Sequence, residues 1–153
     1  MAKSKVAAVI PAYRVSRHIA EVIQGIGPNV THIIVVDDAC PEGSGDAAAA
    51  IKDKRVRIVR HPTNQGVGGA TISGYQEALA LGCDIVVKID GDGQMDPLDI
   101  ADLIAPIEEN MADYAKGNRF SSVENIEDMP FIRIVGNAGL SFLTKVSSGY
   151  WNI

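Results

Sequence analysis

The chain has 153 residues, 46% of them hydrophobic and 22% charged, with a formal net charge of −5 at pH 7, which suits one packed α/β domain of ordinary size. Its basic residues are scattered, without a Lys/Arg run or an aromatic-interleaved patch, which argues against nucleic acid as a partner. No window approaches the roughly 20 apolar residues of a membrane span, so any membrane contact is expected to be peripheral or to involve residues outside this chain. Cys40 and Cys83 show no C-x-x-C spacing and no signal peptide precedes them, so free thiols and a cytoplasmic setting are expected.

In chain order, short β-branched runs alternate with amphipathic stretches: 6–10 then 16–26, 31–36 then 45–54, 56–60 then 68–81, 84–89 then 97–110. This predicts β-α repeated four times. Near-continuous apolar strands separated by helices imply a doubly wound, mainly parallel sheet covered on both faces. Ser16 is placed to cap the first helix, Pro97 to open the fourth, and Gly82 to follow the third. Residues 111–116 read as a fifth strand and 117–129 as a surface loop. Residues 130–146 place Ile134, Ala138, Phe142 and Val146 at helical spacing.

Such a sheet gathers ligands at the carboxyl ends of its strands. The first strand ends in Pro11-Ala12-Tyr13-Arg14 and lacks dinucleotide-fingerprint glycines, and no G-x-x-x-x-G-K-[ST] loop occurs. The second ends in Asp37-Asp38, where a carboxylate could accept hydrogen bonds from a base or a ribose or simply cap a turn. The third leads into His61-Pro62-Thr63-Asn64-Gln65-Gly66-Val67-Gly68-Gly69-Ala70, whose glycines allow close backbone approach near a helix start. The fourth ends in Asp90-Gly91-Asp92-Gly93-Gln94. In an extended segment residues i and i+2 share a side, so both carboxylates would face one point, a site for Mg²⁺ or Mn²⁺ that keeps positions open for substrate phosphates. The alternative is an ordinary acidic turn.

Taken together, V-I-P-A-Y at 9–13, I-V-V-D-D at 34–38, N-Q-G-V-G-G-A at 64–70 and D-G-D-G-Q at 90–94 resemble the family 2 glycosyltransferases, which have the glycosyltransferase A fold and use nucleotide-sugar donors. Gln94, Asp96-Pro97 and Lys116-Gly117-Asn118-Arg119-Phe120 look most like the branch of dolichyl-phosphate mannosyltransferases and polyprenyl-phosphate glycosyltransferases. The resemblance implies that Pro11, Ala12 and Tyr13 line the nucleoside pocket, that Asp38 reads base or ribose, and that Gly66, Gly68 and Gly69 back the donor. It makes Asp90 and Asp92 the D-x-D pair at the ribose and a divalent ion, with Gln94 a further ligand. Arg119 and Arg133 match positions that hold the acceptor lipid's phosphate, work suited to a planar, permanently charged fork; read alone they would be solvated loop and helix-face arginines.

Where many members carry Asn-Glu after the tyrosine, this chain has Arg14-Val15. The family's further Asp-Pro-x-Asn-Gly-Tyr-like segment is missing, so the chain reads as one domain over 1–153, incomplete at its C-terminus. It would keep the donor half of the site, and apolar surface left uncovered would promote self-association. The rival readings are a donor-binding fragment without turnover and a haloacid-dehalogenase-type phosphatase. Gln94 and the late position of the D-x-D pair argue against the phosphatase. An EF-hand loop fails because Met95 and Ala101 stand where it needs Gly and Glu.

Overall fold

The computed structural model describes residues 4–117. The chain divides into two units, Met1–Ala115 and Lys116–Ile153, and every described element belongs to the first. Four strands, β1 (Val6–Ala12), β2 (His32–Asp37), β3 (Val56–Arg60) and β4 (Ile85–Lys88), form a sheet in the order β3-β2-β1-β4. All three pairings are parallel. Between the strands run α1 (Ile19–Gly25), α2 (Ser44–Ala49) and α3 (Gly66–Ala80), and after β4 a 3₁₀ turn at Pro97–Asp99 leads into α4 (Ile100–Glu108). This is the Rossmann-like, doubly wound architecture expected from the β-α alternation.

The central strand β1 shows why its sequence is apolar on both faces. Ala8 and Ile10 pack with Ile19 and Ile23 of α1, Ala48 of α2 and Ile100 and Ile104 of α4. Ala7 and Val9 face the other way, toward Ala70 and Ala78 of α3. Each fully buried Val or Ile contributes roughly 1.5–3 kcal/mol relative to exposure. The α3 side is tight, because a Cβ on Gly74 would collide with Val9 Cγ1 and lie 3.2 Å from Val36 Cγ2. A glycine there lets the helix backbone rest directly on the sheet.

Several boundaries differ from the expected ones. The first helix begins at Ile19 instead of Ser16, because the N–H groups of His18 and Ile19 both turn back to Val15 O at 3.0 Å; Ser16 caps nothing. The second helix ends at Ala49 instead of Lys54. Ile51 N–H closes a tight turn on Ala48 O, and Asp53 then accepts from the Arg55 N–H at 2.8 Å, which bends the chain into β3. No strand forms over 111–116. The N–H groups of Met111 and Ala112 wrap onto Pro106 O at the end of α4 after Asn110 takes a φ of 57°, and Met111 and Tyr114 are exposed. Pro97 does open the 3₁₀ turn, where Asp96 accepts from Leu98 N–H at 2.9 Å. Gly82 follows α3 at φ 68°, the left-handed conformation expected there. The readings for 118–129 and 130–146 lie outside the described residues.

Candidate functional site

The parallel register sets the carboxyl ends of β1 and β2 side by side, with Ala12 opposite Asp37. Asp37 is the last residue of β2 and Asp38 follows it, and the two aspartates go to different partners. Asp37 points toward α2: its carboxylate accepts from Cys40 N–H at 2.9 Å and Arg60 Nη1 at 3.1 Å, and a Cβ on Gly45 would collide with it. Asp38 instead joins Pro11, Ala12, Tyr13, Asn64, Gly66, Val67 and Ala70 around a cleft of about 290 Å³.

Asp38 is almost fully buried. Its Oδ1 accepts from Gln65 N–H at 2.8 Å and pairs with His61 Nδ1 at 2.7 Å, while Asn64 Nδ2 donates to its carbonyl at 3.2 Å. Burial alone would raise the Asp38 pKa, but the bonds from Gln65 and His61 outweigh it and hold the carboxyl below its ordinary value. An ionised acceptor therefore forms one wall of the cleft. The start of α3 forms another, since Gly66, at φ 76°, and Val67 line the cleft and the first N–H groups of a helix favour negative charge.

Five of the expected donor-site residues thus meet: Pro11, Ala12, Tyr13, Asp38 and Gly66. Gly68 and Gly69 sit in the first turn of α3 but do not line the cleft. A Cβ at Gly69 would crowd Gln65 Cβ at 2.6 Å, so that glycine serves the turn that brings Gln65 to Asp38.

The D-G-D loop departs from the expected extended geometry. Strand β4 ends at Lys88 and Gly91-Asp92 form a turn, so alternation along a strand does not set the two carboxylates. Asp90 is half-buried and pairs with Lys88 Nζ. Asp92 is exposed, and its Oδ1 accepts from Gln94 N–H at 3.0 Å. The glycine between them is buried, and a Cβ there would press on Val15, Ile10 and Ile19 at 3.1–3.2 Å. Among the described residues, no three His, Cys, Asp or Glu side chains converge as a metal cluster. Arg119 and Arg133 lie outside the described residues.

Next to the cleft, Arg14 takes a left-handed φ of 58° and its guanidinium lies 5.4 Å from the centre of the Tyr13 ring. Its N–H donates to Cys40 Sγ at 3.1 Å, and Ser44 Oγ is 3.0 Å from the same sulfur. Burial would raise the Cys40 pKa, yet these hydrogen bonds lower it. Val15 packs on the core and donates its N–H to Ser44 Oγ at 3.0 Å. The Arg14-Val15 pair thereby ties the β1 loop to α2.

Residues 7–151 match the family described as Glycosyl transferase family 2. The chain belongs to that family. Among family 2 relatives, it is 34% identical over 166 residues to the UDP-N-acetylglucosamine–dolichyl-phosphate N-acetylglucosaminyltransferase of Methanococcus voltae, an alignment covering 99% of this chain and 66% of that protein. It is 30% identical to the dolichol-phosphate mannosyltransferase of Pyrococcus furiosus, over 94% of this chain and 41% of the relative. A solved structure, glucosyl-3-phosphoglycerate synthase from Mycobacterium tuberculosis in complex with Mn²⁺, UDP-glucose and phosphoglyceric acid, superposes with a TM-score of 0.56 at 28% identity, over 69% of this chain and 40% of that one. The chain therefore spans 66% of the first relative's length and less of the others. The glycosyltransferase A fold expected from the motifs is the observed one.

Proposed function

We propose that this family 2 chain carries the donor site of a glycosyltransferase moving a sugar from a UDP- or GDP-linked donor to a polyprenyl or dolichyl phosphate. The observation that carries this reading is the ionised, buried Asp38 on the wall of a cleft framed by Pro11, Ala12 and Tyr13, with the Asp90–Gln94 loop following the neighbouring strand β4. An acceptor-only group selects ring N–H or hydroxyl donors, the groups that a nucleoside presents. The opening turn of α3 suits the donor's diphosphate.

Asp90, Asp92 and Gln94 offer hard oxygen donors of the kind Mg²⁺ and Mn²⁺ take, with the donor's diphosphate oxygens completing the shell. Asp92 engages the Gln94 N–H and Asp90 engages Lys88 Nζ through Oδ1 alone, so each has its second oxygen off that partner. A bound divalent cation supplies charge stabilisation to the departing nucleoside diphosphate. The lipid-phosphate acceptor is supported by the names of the relatives, and Arg119 and Arg133 are the residues proposed to hold it. An ionised phosphate nucleophile requires no dedicated general base.

Calorimetric titration of UDP and GDP into the purified chain, with and without Mn²⁺, tests the reading. Metal-dependent binding of one nucleotide supports it and selects the base; binding of neither overturns it.

A further inference from the structure

A hydrogen-bonded chain runs from the cleft into α3. Asp38 Oδ1 meets His61 Nδ1 at 2.7 Å, and His61 Nε2 meets Ser73 Oγ at 2.9 Å. The His61 and Asp38 side chains are only 6% and 3% exposed. An ionised carboxylate cannot donate, so Nδ1 carries a proton toward Asp38, and Nε2 shares a hydrogen bond with the Ser73 hydroxyl. Ser73 owes its place to its neighbour Gly74, whose missing Cβ lets α3 rest on Val9 and Val36.

The chain also decides which carboxylate oxygen is available. Two donors to the Asp38 carboxylate, Gln65 N–H and the His61 ring, fall on Oδ1, and the Gly66 N–H also stabilises the carboxylate. Oδ2 accepts from neither Gln65 nor the His61 ring, and Asp38 lines the cleft.

We propose that His61 and Ser73 are positioning residues for nucleobase choice, locking the Asp38 carboxylate so that Oδ2 alone meets the base; this rests on the donor-nucleotide reading of the cleft. A fixed acceptor favours a base with a ring N–H, such as uracil at N3 or guanine at N1. It repels cytosine and adenine, which turn a ring lone pair toward it. A carboxylate free to rotate discriminates less, since it can evade the repulsion.

The test compares UDP with CDP, or GDP with ADP if the parent chain prefers guanine, by calorimetry in Mn²⁺. It uses the parent, His61→Leu, His61→Asn and Ser73→Ala chains, with ring ¹⁵N NMR of His61. His61→Leu should lose about tenfold in affinity for the preferred nucleotide, the worth of one hydrogen bond to a charged group, and most of the preference over its partner. His61→Asn, whose amide N–H can replace Nδ1–H, should restore that preference, which a merely structural histidine would not require. Ser73→Ala should shift the Nε2 resonance and weaken the preference. Should His61→Leu not fold, the other two variants decide. A folded His61→Leu or Ser73→Ala chain that keeps the parental preference, a folded His61→Asn chain that loses it, or an unmoved Nε2 resonance in Ser73→Ala overturns the relay alone. A parent chain that binds no nucleotide overturns the donor-site reading and the relay with it.

Discussion

Two adjacent aspartates, the last residue of β2 and the one that follows it, serve different purposes because they meet different partners. Asp37 is taken up by Arg60 and Cys40, whereas Asp38 faces the cleft. The D-G-D loop divides in a similar way, with Asp90 held by Lys88 and Asp92 exposed. We therefore expect Asp92→Ala to reduce nucleotide binding in Mn²⁺ to its metal-free level. Its melting temperature should stay within about 1–2 °C of the parent, since an exposed loop side chain contributes little to stability; calorimetry and a thermal melt check the two halves. That Asp38 stands at a strand end bordering a cleft was legible from its place after an apolar run. His61 and Ser73 were not, because twelve positions separate them and only the folded α3 brings them within 2.9 Å. Nor was the packing of Gly69 against Gln65 legible, an i to i+4 contact inside the first turn that only the folded helix makes.

Among the elements, α3 is the one whose sequence looks least like a helix, with four glycines in fifteen residues. Each interior glycine costs about 0.5–1 kcal/mol relative to alanine, so packing must offset the propensity. Gly74 is where it does so. Gly74→Ala should destabilise the chain by about 1–3 kcal/mol, the usual cost of overpacking a closed interface, measured as a lower urea midpoint at unchanged slope. Because the added methyl would push α3 off Val9, the Ser73–His61 contact should loosen in the same variant. The four β-α repeats were legible because buried parallel strands and amphipathic helices have distinct periodicities. The fifth strand was not, because the apolar Met111 and Tyr114 suggest burial while their segment is fixed by the carbonyl of Pro106, a contact that composition does not record.

At the scale of the described unit, two carboxyls make its stability depend on acid pH. Burial is the largest influence on Asp38, but its hydrogen bonds prevail. At Asp53 the Arg55 side chain is the chief cause, and the same guanidinium donates to the carbonyls of Ile26 and Gly27 at 3.1 and 2.7 Å, closing the turn beyond α1. Both carboxyls bind protons more weakly folded than unfolded, so the unfolded chain takes up more protons as the pH falls. The stability they contribute is complete above the ordinary value of 3.8 and is lost progressively below it. Urea titrations from pH 6 to about pH 2 should show a flat region and then a decline, and Asp38→Asn should shallow that decline.

The thiol behind Arg14 has a practical consequence. Cys83 is pushed up by burial while Cys40 is held down by its donors, and thiolate is the reactive form. The chain thus contains its own chemical reporter: a limiting dose of maleimide should label Cys40 well before Cys83, as peptide mass spectrometry would show. Because the sulfur holds the backbone of Arg14, next to the Tyr13 edge of the cleft, occupancy by a nucleotide should slow that labelling. Ligand binding could then be followed in the unmutated chain without attaching a dye.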